Sequence, residues 1–169
     1  FFMRDSIANL HALNLKEVKI TKSEYNNQYG HFVNQDYEIP MYAFKEKKSL
    51  SKLVLPDKLR TIHEDAFNSC SNLSGSLIIP EGVTKIYTGA FGGCRALTGT
   101  LSLPSTLEYL GTPGHNINGV FGDCGFTCEL KLPQNLKYIG FQCFINCKNL
   151  YGELHLPNSL TDIKEYAFS

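Results

Sequence analysis

The sequence predicts a solenoid, that is, a stack of similar coils built from one repeated unit. Prolines recur at intervals of 24, 24, 29 and 24 residues, at Pro56, Pro80, Pro104, Pro133 and Pro157. An aromatic residue recurs at intervals of 23, 24, 30, 23 and 24 residues, at Phe44, Phe67, Phe91, Phe121, Phe144 and Phe168. Two separate landmarks with one period indicate a structural repeat, in which each unit buries its apolar face against its neighbours.

Each repeat begins with a short predicted strand, because aliphatic residues flank a variable position in the alternation of a half-buried strand. We expect strands at 53–55, 77–79, 101–103, 130–132 and 154–156, with an earlier one near 13–15. The proline that follows lacks an N–H donor and ends the strand. A leucine-rich period of about 20 to 29 residues is typical of a leucine-rich-repeat solenoid. The expected fold is therefore a right-handed, curved coil with one parallel β-sheet of short strands, and with turns or short helical pieces on its other side.

Two further sets of apolar residues complete the predicted core. An aliphatic pair such as Val83 and Ile86 follows each proline and points inward. On the far side of the coil, an alanine or similar small residue precedes each repeat phenylalanine, as in Ala90 and Phe91. Successive phenylalanines are expected to stack into one aromatic column.

Residues 1–169 are expected to form a single leucine-rich-repeat domain, as a fragment of a longer chain. Residues 1–20 combine apolar residues at helical spacing with a leucine-rich half-unit, which predicts an N-terminal helix followed by a first half-coil. Residues 21–38 form a polar, aromatic-rich insertion, expected to be a loop. Residues 39–169 contain about five repeats, with a second insertion between Leu110 and Val120.

Composition excludes several classes of function. The chain has 16 basic and 16 acidic side chains, so its formal net charge is +0. Its largest basic cluster, at 45–48, is interrupted by a glutamate and is expected to be a solvated turn, so we expect no nucleic-acid partner. The apolar runs are too short to cross a membrane.

The six cysteines have spacings that would also permit a zinc site or disulfides. Cys143 occupies the small-residue position before a repeat phenylalanine, and four others follow such a phenylalanine by three residues: Cys70, Cys94, Cys124 and Cys147. Repeat register therefore explains these five as small buried residues, and we expect no metal site. Cys70 and Cys94 are expected to be free thiols. A disulfide that includes Cys128 stays open.

The five histidines do not indicate an active site. A nucleophile, its base and an orienting group must lie within hydrogen-bond reach of one another. His11 and His155 are best able to share a strand face, but several coils separate them. The loop at 111–119 is rich in glycine, yet it matches neither common phosphate-binding signature. The sequence therefore predicts no enzyme, no catalytic residue and no cofactor.

One pattern covers most of the chain: Leu-x-Leu-Pro-x-x-Leu/Val-x-x-Ile-x-x-x-Ala-Phe-x-x-Cys-x-x-Leu, at residues 53–73 and 77–97. It resembles the BspA-type leucine-rich repeat, and the links at 73–77 and 97–101 resemble a longer variant common in gut and oral Bacteroidetes. The departure lies at 107–132, where Phe126 or Thr127 replaces a leucine. The resemblance implies a bacterial protein that is secreted or anchored at the cell surface, in several cases an adhesion protein, with no catalytic residues.

The outward positions of the predicted strands form what we call the predicted binding face: Lys52, Val54, Ser76, Ile78, Thr100, Ser102, Lys131 and His155. Solenoids use an extended concave face for recognition, and a face without a deep pocket suits a protein or glycan chain better than a small metabolite. The loops at 25–29 and 114–118 are expected to form its rims. The alternative interpretation is a structural spacer within a larger surface protein.

Overall fold

A computed structural model describes residues 9–27, 30–115 and 117–169. The described strands are β1 (Ala12–Asn14), β2 (Ser23–Asn27), β3 (Gly30–Asn34), β4 (Glu38–Ile39), β5 (Lys52–Val54), β6 (Thr61–Ile62), β7 (Leu77–Ile78), β8 (Lys85–Ile86), β9 (Leu101–Ser102), β10 (Tyr109–Leu110), β11 (Tyr138–Ile139) and β12 (Asp162–Ile163). No helix occurs in these ranges, and turns replace the expected helical pieces. The predicted N-terminal helix falls on residues 2–8, outside the described residues.

The main sheet has six parallel strands in the order β12-β11-β10-β8-β6-β4, one from each successive coil. The predicted solenoid with a parallel sheet of short strands is thus confirmed. This sheet is built from the second residue of each aliphatic pair, which is isoleucine in five coils and leucine in β10. Isoleucine is β-branched and favours extended backbone. The distance in sequence from the proline to this residue is constant, so the register is kept from coil to coil.

The leucine strands form a less regular side of the coil than we expected. Strand β5 pairs with β1 and β7 pairs with β9, as two separate parallel ladders. No strand forms at 130–132 or 154–156. A single bridge joins Glu129 and Tyr151, which precede these two segments. From the repeat phenylalanine to the leucine strand, the chain is one residue shorter before β5 than before β7. The leucines at 154 and 156 are 39% and 51% exposed, so the expected burial of this last leucine pair does not occur in this structure.

Turns after each proline have the same geometry throughout. The amide of Val83 donates to the carbonyl of Pro80 at 3.3 Å, and the equivalent bond in the preceding coil joins Leu59 and Pro56 at 3.1 Å. On the far side, the amides of five repeat phenylalanines donate to the next coil, as from Phe67 to the Ala90 carbonyl at 2.8 Å. These bonds satisfy backbone groups that a buried turn would otherwise leave unpaired.

The predicted aromatic column is confirmed. Neighbouring rings of Phe44, Phe67, Phe91, Phe121, Phe144 and Phe168 stack with centroid distances of 5.1, 5.2, 5.8, 5.4 and 5.5 Å. Phe126 fills the missing leucine position: it is fully buried and packs edge-on against Phe121 at 6.0 Å. Thr127 is exposed instead.

The insertion at 21–38 is a β-hairpin, so the expectation of a loop was wrong. Strands β2 and β3 pair antiparallel from Ser23 opposite Asn34 to Asn27 opposite Gly30. The Ser23 hydroxyl donates to Asn34 Oδ1 at 2.6 Å where the hairpin joins the solenoid. An antiparallel pair is held by its backbone bonds, so it can form without the apolar periodicity that the sequence lacks here.

Candidate functional site

All eight residues of the predicted binding face are exposed. Val54 and Ile78 are the apolar members, with exposed fractions of 45% and 69%. The leucines beside them, Leu55 and Leu77, are buried in the core. This alternation follows from the strand geometry, which sends successive side chains to opposite sides of the sheet.

The structure brings only some of these residues together. Ile78 and Ser102 are register partners on β7 and β9, and the hydroxyls of Ser76 and Thr100 lie 3.1 Å apart just before them. Lys52 and Val54 belong to the separate ladder of β5 and β1. Lys131 and His155 lie outside the strands, each beside an acidic residue of its own coil: Glu129 at 3.5 Å and Glu153 at 3.7 Å.

Of the two expected rims, the segment at 25–29 belongs partly to the hairpin described above. The other, at 114–118, is described except for residue 116. Its Ile117 is exposed, and Gly114 has a φ of 82° that favours glycine. Just before it, the Thr112 hydroxyl donates to Glu64 Oε1 at 3.0 Å and ties the start of the loop to an earlier coil.

A second surface, which the sequence analysis missed, lies on the outer face of the six-stranded sheet. We call it the tyrosine–lysine strip and define it by Lys85, Tyr87, Tyr109, Tyr138 and Lys164. Lys85, Tyr109 and Tyr138 are register partners on β8, β10 and β11. Lys85 Nζ lies 5.7 Å from the ring centroid of Tyr109, and Lys164 Nζ lies 5.7 Å from that of Tyr138. The sequence signal was a tyrosine next to the inward aliphatic residue in three successive coils.

Tyr138 is the most buried residue of the strip, and its hydroxyl has no hydrogen-bond partner among the described residues. Burial raises its pKa. Its ring lies against Gly111 and Gly140, where a Cβ on either glycine would approach ring atom Cε1 to 3.7 and 3.4 Å. A Cβ on Gly111 would also approach the Gly140 Cα atom to 2.9 Å, so a larger residue there would require the backbone of the two coils to shift.

An ionisable cluster borders the strip at the β4 end of the sheet. His63 Nε2 lies 3.0 Å from Glu38 Oε2, and His63 Nδ1 lies 3.6 Å from Glu64 Oε2. Burial lowers the pKa of His63, but its contacts with Glu64 and Glu38 outweigh this and the pKa is raised. The Tyr87 ring packs on the imidazole with centroids 5.2 Å apart.

The cysteine side chains line the interior of the coils. Four of them donate to the carbonyl of a phenylalanine in an earlier coil at 3.0–3.3 Å: Cys70, Cys94, Cys124 and Cys147. All six cysteines are buried free thiols in this structure. Burial raises the pKa of Cys70 to about 12 and that of Cys147 to about 11. These thiols are poor nucleophiles at neutral pH, because only the thiolate reacts.

Within the described ranges, no group of three or more His, Cys, Asp or Glu side chains has a geometry suited to holding a metal ion. The same ranges contain no helix with the length and hydrophobicity required to cross a bilayer.

Stacked coils, buried leucines and a continuous phenylalanine column define this chain as a leucine-rich-repeat solenoid. The profile of the BspA type leucine rich repeat region matches residues 37–169 in six copies. The chain therefore belongs to the BspA-type leucine-rich repeat family.

The chain is also similar to a leucine-rich repeat protein from Bacteroides ovatus ATCC 8483 of known crystal structure. The two are 26% identical with a TM-score of 0.62, over 83% of this chain and 32% of the other. The chain thus spans about a third of the length of that protein. A comparison with curated proteins gave no match.

Proposed function

We propose that this chain is a non-catalytic recognition module, secreted or carried at a cell surface, which binds a protein or glycan partner through the predicted binding face. The observation that carries the proposal is the exposure of Val54 and Ile78 beside polar residues. Strand geometry requires only that Leu55 and Leu77 be buried, so nothing in the fold demands apolar side chains at the two outward positions. Apolar groups at the centre of a polar surface are typical of recognition sites.

Membership of the BspA-type family supports the non-catalytic part of the proposal, because leucine-rich repeats are built to display extended surfaces. The environments of the cysteine thiols and of His63 support it as well. All six thiols are buried, burial raises the pKa of Cys70 and of Cys147, and His63 is engaged with two glutamates. Adhesion to another cell or to a matrix is the role that we assign to this surface.

The test begins with a screen of the purified chain against immobilised matrix proteins and arrayed glycans. A double variant, Val54→Lys with Ile78→Lys, is then measured against every partner found. We expect native circular dichroism, because both side chains point to solvent, and a loss of affinity of about tenfold or more.

Val18→Lys is the matched control, since Val18 is also 45% exposed but lies outside the predicted binding face. We expect this variant to bind as the parent does. Equal binding by the double variant and the parent would show that the site lies elsewhere. If the screen finds no partner, the chain is better explained as a spacer.

A further inference from the structure

We propose that the tyrosine–lysine strip is a second binding surface and that its ligand is an uncharged, linear glycan. The strip lies on the six-stranded sheet, whereas the predicted binding face lies on the ladders of β5 and of β7 with β9. The proposal is therefore independent of the function assigned to that face.

The first argument is the repetition of aromatic rings along the strip. Tyr109 and Tyr138 occupy the same register position on adjacent strands, with ring centroids 6.3 Å apart and planes inclined by 34°. Tyr87 lies in the coil before them, directly after β8, and its ring packs on His63 with centroids 5.2 Å apart. One ring per coil suits a ligand that is itself a chain of similar rings. Tyr87 and Tyr109 are both half-buried, so they keep accessible surface.

The second argument is the chemistry that surrounds these rings. An aromatic face is negatively polarised and attracts the weakly positive C–H bonds of a sugar ring. The lysine ammonium groups near Tyr109 and Tyr138 sit on flexible stems, so they can swing aside and donate hydrogen bonds to sugar hydroxyls. The Tyr138 hydroxyl is buried and has no partner among the described residues, and a ligand hydroxyl that reaches it would supply the missing hydrogen bond.

Charge distribution favours a glycan over a protein partner. The centre of a protein–protein interface is depleted of charged residues. Here every ring stands next to a charged group, and two ion pairs border the strip: Lys137 with Glu108 at 2.9 Å, and Lys164 with Asp162 at 3.1 Å. Burial under a protein would desolvate these charges, whereas sugar hydroxyls can both donate to the carboxylates and accept from the lysines. The positive charges of these lysines and the negative charges of these carboxylates nearly cancel, so an uncharged glycan fits better than a strongly anionic one.

Intrinsic fluorescence provides the test, because the chain has no tryptophan and nine tyrosines. The purified chain is titrated with cellohexaose, xylohexaose, mannohexaose, laminarihexaose and maltohexaose, and tyrosine emission is followed. We expect at least one hexasaccharide to change the emission to saturation. Tyr109→Ala should weaken that binding about tenfold, which corresponds to one lost aromatic contact. Tyr109→Phe should retain it, because the ring is kept.

Two further variants keep the result interpretable. Lys85→Ala changes an exposed side chain, so it is expected to fold even if Tyr109→Ala does not, and it should also weaken binding. Ile78→Lys alters the predicted binding face alone and should bind the hexasaccharide as the parent does. Absence of any emission change at millimolar hexasaccharide would overturn the proposal. So would binding that Ile78→Lys abolishes and Lys85→Ala leaves intact, or capture of a protein by the strip without glycan binding.

Discussion

Phe91 lies in the interior of the phenylalanine column and contacts a ring on each side. Its ring lies 5.2 Å from that of Phe67 and 5.8 Å from that of Phe121, and its side chain is fully buried. The carbonyl of the same residue accepts the Cys124 thiol at 3.3 Å. Aromatic stacking on both sides and thiol donation to the carbonyl thus converge on Phe67, Phe91 and Phe121.

Phe91→Ala is expected to lower the free energy of unfolding by about 3–5 kcal/mol, because it leaves a cavity in the middle of the column. Chemical denaturation followed by circular dichroism measures the change. Phe168→Ala is the matched control: Phe168 ends the column and is 39% exposed, so its loss should cost distinctly less. Equal losses for the two variants would contradict a column in which interior rings matter most.

At the residue scale, the sequence predicted the core well. Val83, Ile86, the repeat phenylalanines at 67 and 91 and the register cysteines are buried as expected, because a residue repeated in every coil faces the same neighbours in each. The tyrosine–lysine strip was missed because its members occupy two positions of the repeat, one before and one after the inward aliphatic residue. Because the members are divided between these two positions, neither position carries an aromatic residue in every coil.

Among the elements, strands β4 and β6 are joined by more than their backbone bonds. Glu38 on β4 contacts His63, which directly follows β6, and Glu64 accepts the Thr112 hydroxyl from a later coil. The groups that face the imidazole are Glu38, Glu64 and the Tyr87 ring. The cluster therefore connects three parts of the stack. His63 contacts Glu38 of the preceding coil, and its neighbour Glu64 contacts Thr112 of a later coil.

Because the folded-state pKa of His63 is raised above 6.5, its protonation stabilises the native state. This contribution is complete below the unfolded-state pKa and is lost as the pH rises through the folded-state value. The pKa of Glu64 is instead lowered below 4.5, so its contribution is present above that value and is lost on further acidification. We expect the parent to exceed His63→Gln in melting temperature by more at pH 5.5 than at pH 8.

Thermal unfolding at the two pH values measures this difference. His155→Gln is the control, since His155 is exposed and its nearest carboxylate lies at 3.7 Å. A melting-temperature difference between parent and His63→Gln that stays constant with pH would show that the cluster is held by packing alone.

At the element scale, sequence reasoning found the repeating unit but misplaced its main sheet. Leucine alternation at 53–55 and 77–79 is a strand pattern, and β5 and β7 do form there. The leucine alternation does not reveal which of the two strand positions pairs continuously, because the segment from the leucine strand to the inward aliphatic residue has the same length in every coil from residue 53 onward. The right-handed, curved course of the coils stays a prediction.

For the whole molecule, burial of every cysteine predicts the behaviour of its thiols. The denatured chain, never exposed to a reductant, is expected to show six reactive thiols with a chromogenic disulfide reagent, and the native chain almost none. All six native thiols are shielded by burial, and burial also raises the pKa of Cys70 and of Cys147. A count of zero in the denatured chain would show that the cysteines are bridged.

The interruption between β5 and β7 has a mechanical consequence. The six-stranded sheet is hydrogen-bonded without a break along the stack, while the leucine side has no ladder between these two strands. The leucine side therefore resists a bend less at this point than between β7 and β9, while the continuous six-stranded sheet holds the coils together. Val54 and Ile78 lie at the ends of the two strands that flank this point. Any bend changes the distance between the side chains of Val54 and Ile78. A partner that contacts both would therefore resist bending of the solenoid. A pulling force along the chain would in turn change the affinity for that partner.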